Sequence, residues 1–199
     1  MEYKYTKERI ELEKELNTLD EFVLSFTAIL NKLNLNYVIV SGYVSILFGR
    51  NRSSEDVDII LEKITLAQFE IMWNELNKLF ECIITENVKD AYNDYLTTGC
   101  AIRFSKKGEA IPNIEIKFPK TELDIWTLNN KKEILLNRNH LFISPLELQI
   151  PFKLFLGSEK DIEDARFLYN LFKDKLNKAL LLEFNRKLNI DEVFNRYLT

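Results

Sequence analysis

The chain predicts an α/β fold, with strands and helices sharing residues 1–130 and a helical region filling 131–199. Three features carry that expectation. "NYVIVSG" (36–42) and "DVDIIL" (56–61) are short apolar runs bounded by turn residues, the form of buried strands. "CAIRFS" and "NIEIKF" flank the turn residues "KKGEA", as the strands of an antiparallel hairpin do. The longer stretches on either side space their apolar residues by three and four, the period of amphipathic helices.

The elements follow in order. Residues 6–33 read as a helix, with Ile10, Leu12, Leu16, Leu19, Phe22, Val23, Phe26, Ile29, Leu30 and Leu33 mostly at helical steps. "NYVIVSG" is then a strand ending in a glycine, and "YVSILFG" is a two-turn helix closed by Gly49. After the strand "DVDIIL", Thr65 caps a helix over "LAQFEIMWNELNKLF", which returns the chain to "ECIIT" and the hairpin. From Ser144 the text is helical: "SPLELQIPFKLFL", "SEKDIEDARFLYNLF" and two shorter amphipathic runs. "LNNKKEILLNRN" (128–139) is the expected junction between the two regions.

Composition narrows the chemistry. A chain of 199 residues holds one good-sized core, with or without a small helical appendage. Its 46% hydrophobic and 29% charged content is that of an ordinary globular protein. No apolar stretch approaches the roughly 18 residues that span a bilayer. "MEYKYTKERIELEKEL" is too charged for a signal peptide, so a cytoplasmic protein without a membrane partner is expected. Cys82 and Cys100 lack CxxC spacing and His140 is the single histidine, expected in a loop. Ser-His-Asp, Cys-His and zinc chemistry are therefore excluded, and carboxylates must carry any catalysis. The net charge of −4 argues against a general nucleic-acid coat.

Two carboxylates stand where an apolar strand would not put them. In a strand, residues i and i+2 share a face, so Asp56 and Asp58 lie side by side, about 7 Å apart. Two such charges repel each other unless a divalent cation lies between them. Gly42 follows a buried strand and precedes a helix, a place where backbone can approach phosphate oxygens, and Ser41 adds a hydroxyl. Arg50, Arg52, Ser53 and Ser54 come just before the acids and supply donors. In "NIEIKF" the apolar Ile114, Ile116 and Phe118 alternate with Glu115 and Lys117. If that strand lies beside "DVDIIL", Glu115 becomes a third acid. Lys153 sits among Phe152, Leu154, Phe155 and Leu156, so it needs an anionic partner or a cleft. Ser158 and Asp161 form an N-capping pattern.

With these residues in view, "VSGYVSILFGRNRSSEDVDIIL" resembles the first motif of the nucleotidyltransferase superfamily, the polymerase-β-like fold. It is most similar to the branch of AbiEii-type and MenT-type toxins and related prokaryotic proteins. Gly42, Tyr43, Gly49, Arg52, Ser54, Asp56 and Asp58 fall on motif positions, while Ser41 stands where a glycine is usual. "FKLFLGSEKDIEDARFLYNLF" is similar to the family's C-terminal stretch, in which Lys153, Asp161 and Asp164 match. The resemblance implies a mixed sheet flanked by helices. It also implies a metal site of Asp56, Asp58 and Glu115 for Mg2+ or Mn2+, and a nucleoside triphosphate as substrate. Ser41, Gly42, Arg52, Ser54 and Lys153 would bind the nucleotide, with Asp161 in support. The acceptor hydroxyl would belong to RNA, tRNA in particular, to a protein or to a small molecule, and a cognate antitoxin would be a partner. The alternative is a non-catalytic binding module on the same fold. A glycosyltransferase, whose DxD also binds metal, fits less well, because the glycine turn lies too close to the acids.

Overall fold

The structure, a computed structural model, describes residues 2–6 and 8–198; Met1, Lys7 and Thr199, of which Lys7 falls in the expected first helix, lie outside the described residues. Nine strands among the described residues form one mixed sheet. In chain order they are β1 (Glu2–Tyr5), β2 (Arg9–Glu13), β3 (Tyr37–Val40), β4 (Asp56–Leu61), β5 (Phe80–Cys82), β6 (Ile102–Lys106), β7 (Asn113–Lys117), β8 (Lys132–Leu136) and β9 (Asn139–Ile143). Across the sheet they run β1-β2-β8-β9-β3-β4-β7-β6-β5. The helices are α1 (Thr18–Lys32), α2 (Gly42–Leu47), α3 (Leu66–Leu76), α4 (Val88–Asp90), α5 (Glu122–Asn129), α6 (Leu146–Leu156), α7 (Glu159–Phe172), α8 (Lys178–Lys187) and α9 (Asp191–Leu198), with a π-helical turn over Ala91–Leu96.

Most of the expected elements are present. Thr65 caps α3 by accepting from the backbone N–H of Gln68, whose side chain accepts from the Thr65 N–H in return. Gly49, with φ of 98°, closes the turn after α2. The hairpin of β6 and β7 is antiparallel and sets Arg103 opposite Glu115.

Two expectations are corrected. The helix expected over 6–33 begins only at Thr18. Ile10 and Leu12 are fully buried on β2, which pairs with β1 and with β8. Their alternation with Arg9, Glu11 and Glu13 is the period of a strand. Asn17 then opens the helix through a reciprocal cap with Asp20. The segment expected as a junction is instead largely a β-hairpin of the same sheet. Asn137 and Arg138, at φ of 45° and 70°, turn β8 into β9. Ile134, Leu136, Leu141 and Ile143 are fully buried there. The sheet thus draws strands from both sides of residue 130. His140 lies on β9 rather than in a loop, with Nδ1 2.7 Å from Glu133 Oε1.

The sheet's two faces are unequal, and this places the acids. On β4, Val57, Ile59 and Leu61 point into the main core with Tyr37, Ile39, Ile114 and Ile116 of the neighbouring strands. The opposite face holds a small second cluster of Val38, Ile60 and Leu128, with Val40 packed against it. Leu128 belongs to α5, so this helix covers the Ile60 end of the strand. Asp56 and Asp58 share that lightly covered face by alternation and remain part-exposed.

Candidate active site

Asp58 is the centre of the constellation. It stands in register with Glu115 on β7, to which β4 is parallel, and with Val40 on β3, to which β4 is antiparallel. The expected adjacency of Glu115 to the Asp56–Asp58 strand is therefore present. Burial pushes the Asp58 carboxyl above its ordinary pKa; the nearby Ser41 side chain pulls the other way, and Asp56 and Glu115 push it up again. Asp56 receives the Ser54 hydroxyl, which donates to its backbone carbonyl at 3.0 Å and to Oδ1 at 3.3 Å. Ser54, expected at the nucleotide, thus faces the first acid.

The glycine turn leaves β3 immediately beside these acids. Ser41 has φ of 63° and ψ of −138°, a backbone that glycine adopts freely and serine adopts at a cost of about 1–3 kcal/mol. Serine stands here in a backbone region that favours glycine. Gln149 of α6 donates Nε2 to the Ser41 carbonyl at 2.8 Å and braces the turn. Gly42 lies close against Arg52. A Cβ there would lie 2.9 Å from an Arg52 guanidinium nitrogen.

Arg52, Arg50 and Lys153 converge on α7. Arg52 donates to Asp164 Oδ2 at 2.7 Å, and Arg50 donates to Asp164 Oδ1. Lys153, only 2% exposed, donates to Asp161 Oδ1 at 2.6 Å and lies 3.0 Å from Asp164 Oδ2. Asp164 is fully buried, and three cations around it supply the compensation that a buried carboxylate needs. Ser158 caps α7 by accepting from the Asp161 N–H and donates its hydroxyl to the Asp161 carboxylate, which also pairs with Lys153. Burial opposes its charge, but Lys153 and Ser158 hold its carboxyl below the usual range.

A cavity of about 300 Å³ opens between this face of the sheet, α5 and α6. Ser41, Asp58, Lys117, Asp124, Gln149 and Lys153 supply polar groups to its wall, and Leu148, Phe152 and Leu156 an apolar side. Lys117 shares the strand face of Glu115, as alternation in the sequence places it, and lines the cavity. Two of the site's residues were not singled out from the sequence. Gln149 and Arg103 carry no local signal, since they arrive through helix packing and strand register.

No protein-family model matches the chain, and no curated protein sequence does. Solved structures do match. The crystal structure of an antigenic nucleotidyltransferase-like protein from Paracoccidioides brasiliensis is similar with a TM-score of 0.52 and 15% identity, over 92% of this chain and 96% of that one. ANT(2″)-Ia in complex with adenylyl-2″-tobramycin is similar with a TM-score of 0.55 and 14% identity, over 86% of this chain and 99% of that one. The chain has a nucleotidyltransferase-like fold. At such identity the likeness is one of fold, and it extends over nearly the whole length of both neighbours.

The nucleotidyltransferase-like fold raises the question of a divalent cation. Asp56, Asp58 and Glu115 offer hard oxygen donors of the kind Mg2+ and Mn2+ take, on adjacent strands and one face of the sheet. Among the described residues no three acidic, histidine or cysteine side chains converge closely enough to hold a metal ion. Glu115 is turned to Arg103, whose Nε and a terminal nitrogen donate to Oε2 at 2.9 and 2.8 Å. The donor set fits in type and in register, with Glu115 held aside.

Proposed function

We propose that the protein is a metal-dependent nucleotidyltransferase, moving a nucleoside monophosphate from a nucleoside triphosphate to an acceptor hydroxyl. The observation that carries this reading is the meeting on one sheet face of Asp56, Asp58 and Glu115 with the Ser41–Gly42 turn, beside a cavity that also exposes Lys153. Mg2+ or Mn2+ held by Asp56 and Asp58, with Glu115 alongside, would supply polarisation of the α-phosphate and charge neutralisation of the leaving pyrophosphate. The chain's own groups do the rest. The turn at Gly42 lets the triphosphate lie against backbone, and Arg52 and Lys153 share their charge between Asp164 and the phosphates. Glu115 accepts the acceptor's proton as its oxygen attacks.

For the acceptor, the motif's likeness to the toxin branch supports RNA, tRNA first, with an antitoxin as partner. The adenylylated tobramycin in the ANT(2″)-Ia complex supports ATP as donor and keeps a small-molecule hydroxyl in contention. A second reading has one observation of its own. Arg50, Arg52, Lys153 and Glu115 are all engaged within the protein, as they would be in a binding module that takes no nucleotide.

Thermal unfolding separates the two. A ligand that binds only the folded state stabilises it by about 2.7 kcal/mol at a hundredfold excess over its dissociation constant. The enzyme reading expects a higher Tm with Mg2+ and at least one of the four nucleoside triphosphates, and loss of the metal-dependent part in Asp56→Asn. Absence of a shift with all four at millimolar concentration transfers support to the binding module.

A further inference from the structure

Among the described residues, the ion pair made by the three acids is that of Glu115 with Arg103. Arg103 stands on β6 opposite Glu115, so Glu115 lies between Arg103 on one neighbouring strand and Asp58 on the other. Both Arg103 hydrogen bonds go to the same oxygen, Oε2. Arg103 is therefore the counter-ion of Glu115, the acid that stands next to Asp58 across the sheet. Its side chain is 46% exposed, so it can swing out into solvent without leaving a buried void.

We propose that Arg103 is a positioning residue that holds Glu115 away from the cation site and competes with the divalent metal for it. This rests on the nucleotidyltransferase reading. In the ligand-free protein the arginine neutralises Glu115 and prevents this third acid from closing around an ion. A divalent cation, carrying two charges to the guanidinium's one, draws Glu115 across and releases Arg103. The latch keeps Glu115 from joining Asp58 until metal arrives, at the expense of metal affinity.

The test is Mn2+ binding to the nucleotide-free protein, followed by calorimetry and by the electron paramagnetic resonance signal of the free ion. Arg103→Gln removes the charge and the fork, and should bind Mn2+ about tenfold more tightly than the wild type, the order expected for one adjacent, partly screened charge. Arg103→Lys keeps the charge and should remain within about threefold of the wild type. Adding Glu115→Gln to Arg103→Gln should cancel the gain, because the competitor acts through that carboxylate. A unchanged or weakened Mn2+ affinity in a folded Arg103→Gln protein overturns the proposal. So does a gain that survives Glu115→Gln, or an absence of Mn2+ binding in both wild type and variant at millimolar metal. Nucleotidyl transfer by the wild type is scored separately: label transfer with no effect of Arg103→Gln on Mn2+ binding removes the latch and leaves the enzyme reading standing.

Discussion

Asp58 sits where folding alone would not put a charge. Its pKa in the folded protein lies above its unfolded value, first through burial. A carboxyl of that kind favours folding when protonated, so its stabilisation is complete below the unfolded pKa and is lost as pH rises through the folded one. Asp58→Asn should therefore unfold at a higher temperature than the wild type at pH 7, by about 0.5–2 kcal/mol, the size common when one unfavourable group is removed. The gain should shrink as the pH falls through the carboxylate range. Melting curves between pH 3 and 8 check the sign; a variant that is less stable at pH 7 would show that Asp58 serves the fold. This position was legible in the sequence because alternation on a strand is a local rule, and in "DVDIIL" it sets Asp58 beside Asp56 on one face. Arg103 was not legible. Its meaning comes from a register between strands whose pairing no local pattern states.

At the level of elements, α2 is held to α1 by a buried polar contact. The Tyr43 hydroxyl donates to Asp20 Oδ1 at 2.9 Å, and the Lys14 ammonium donates to the same oxygen at 2.9 Å. Asp20 is fully buried and also closes the α1 cap through Asn17. Burial first, then the Asp20 charge, raises the Tyr43 pKa well above the ordinary value. Tyr43→Phe should lower stability by about 1–3 kcal/mol in denaturant titrations, as loss of a hydrogen bond to a buried charged group does. A cost near zero would mean that Lys14 and Asn17 satisfy Asp20 without it. Gly42 makes a second prediction for the same turn. Its backbone lies outside the left-handed region, so Gly42→Ala should fold with a Tm close to that of the wild type while displacing Arg52. Triphosphate affinity should fall by about tenfold, the scale of one charge-assisted contact; unchanged affinity in a folded variant would take Arg52 out of the site. The sequence showed α2 and its closing Gly49, since glycine and apolar spacing mark both. It misplaced residues 9–13, because Leu12 continues the helical spacing of Leu16 and Leu19 while the strand alternation of Ile10 and Leu12 spans only two apolar residues, and pairing with β1 and β8 decides.

The molecule as a whole is joined by Asp164. This residue of α7 binds Arg50 and Arg52 from the segment before β4, and Lys153 from α6. The C-terminal helices are thus tied to the loop that leads into the acids, and the two halves of the chain meet at the site. Asp164→Ala leaves three cations without their shared carboxylate and should cost about 3–5 kcal/mol. Asp161→Ala, at the solvent-facing edge of the same cluster, should cost clearly less; equal costs would place the two in one role. The architecture could be read only in part from the sequence. Lys153 announced a need for an anion, but the choice between Asp161, Asp164 and a phosphate depends on how α6 packs on α7. The strands β8 and β9 stayed hidden because lysines and asparagines surround their few apolar residues.

The central claim is that Asp56 and Asp58 support nucleotidyl transfer. Each of the four nucleoside triphosphates, labelled at the α-phosphate, is incubated with Mg2+ or Mn2+, the protein and an acceptor mixture of total cellular RNA, total protein or small hydroxyl compounds. The account predicts label joined covalently to one acceptor class by the wild type, and its loss in Asp56→Asn and in Asp58→Asn, both folded. No label transferred from any nucleotide, or transfer that survives in both variants, would contradict it.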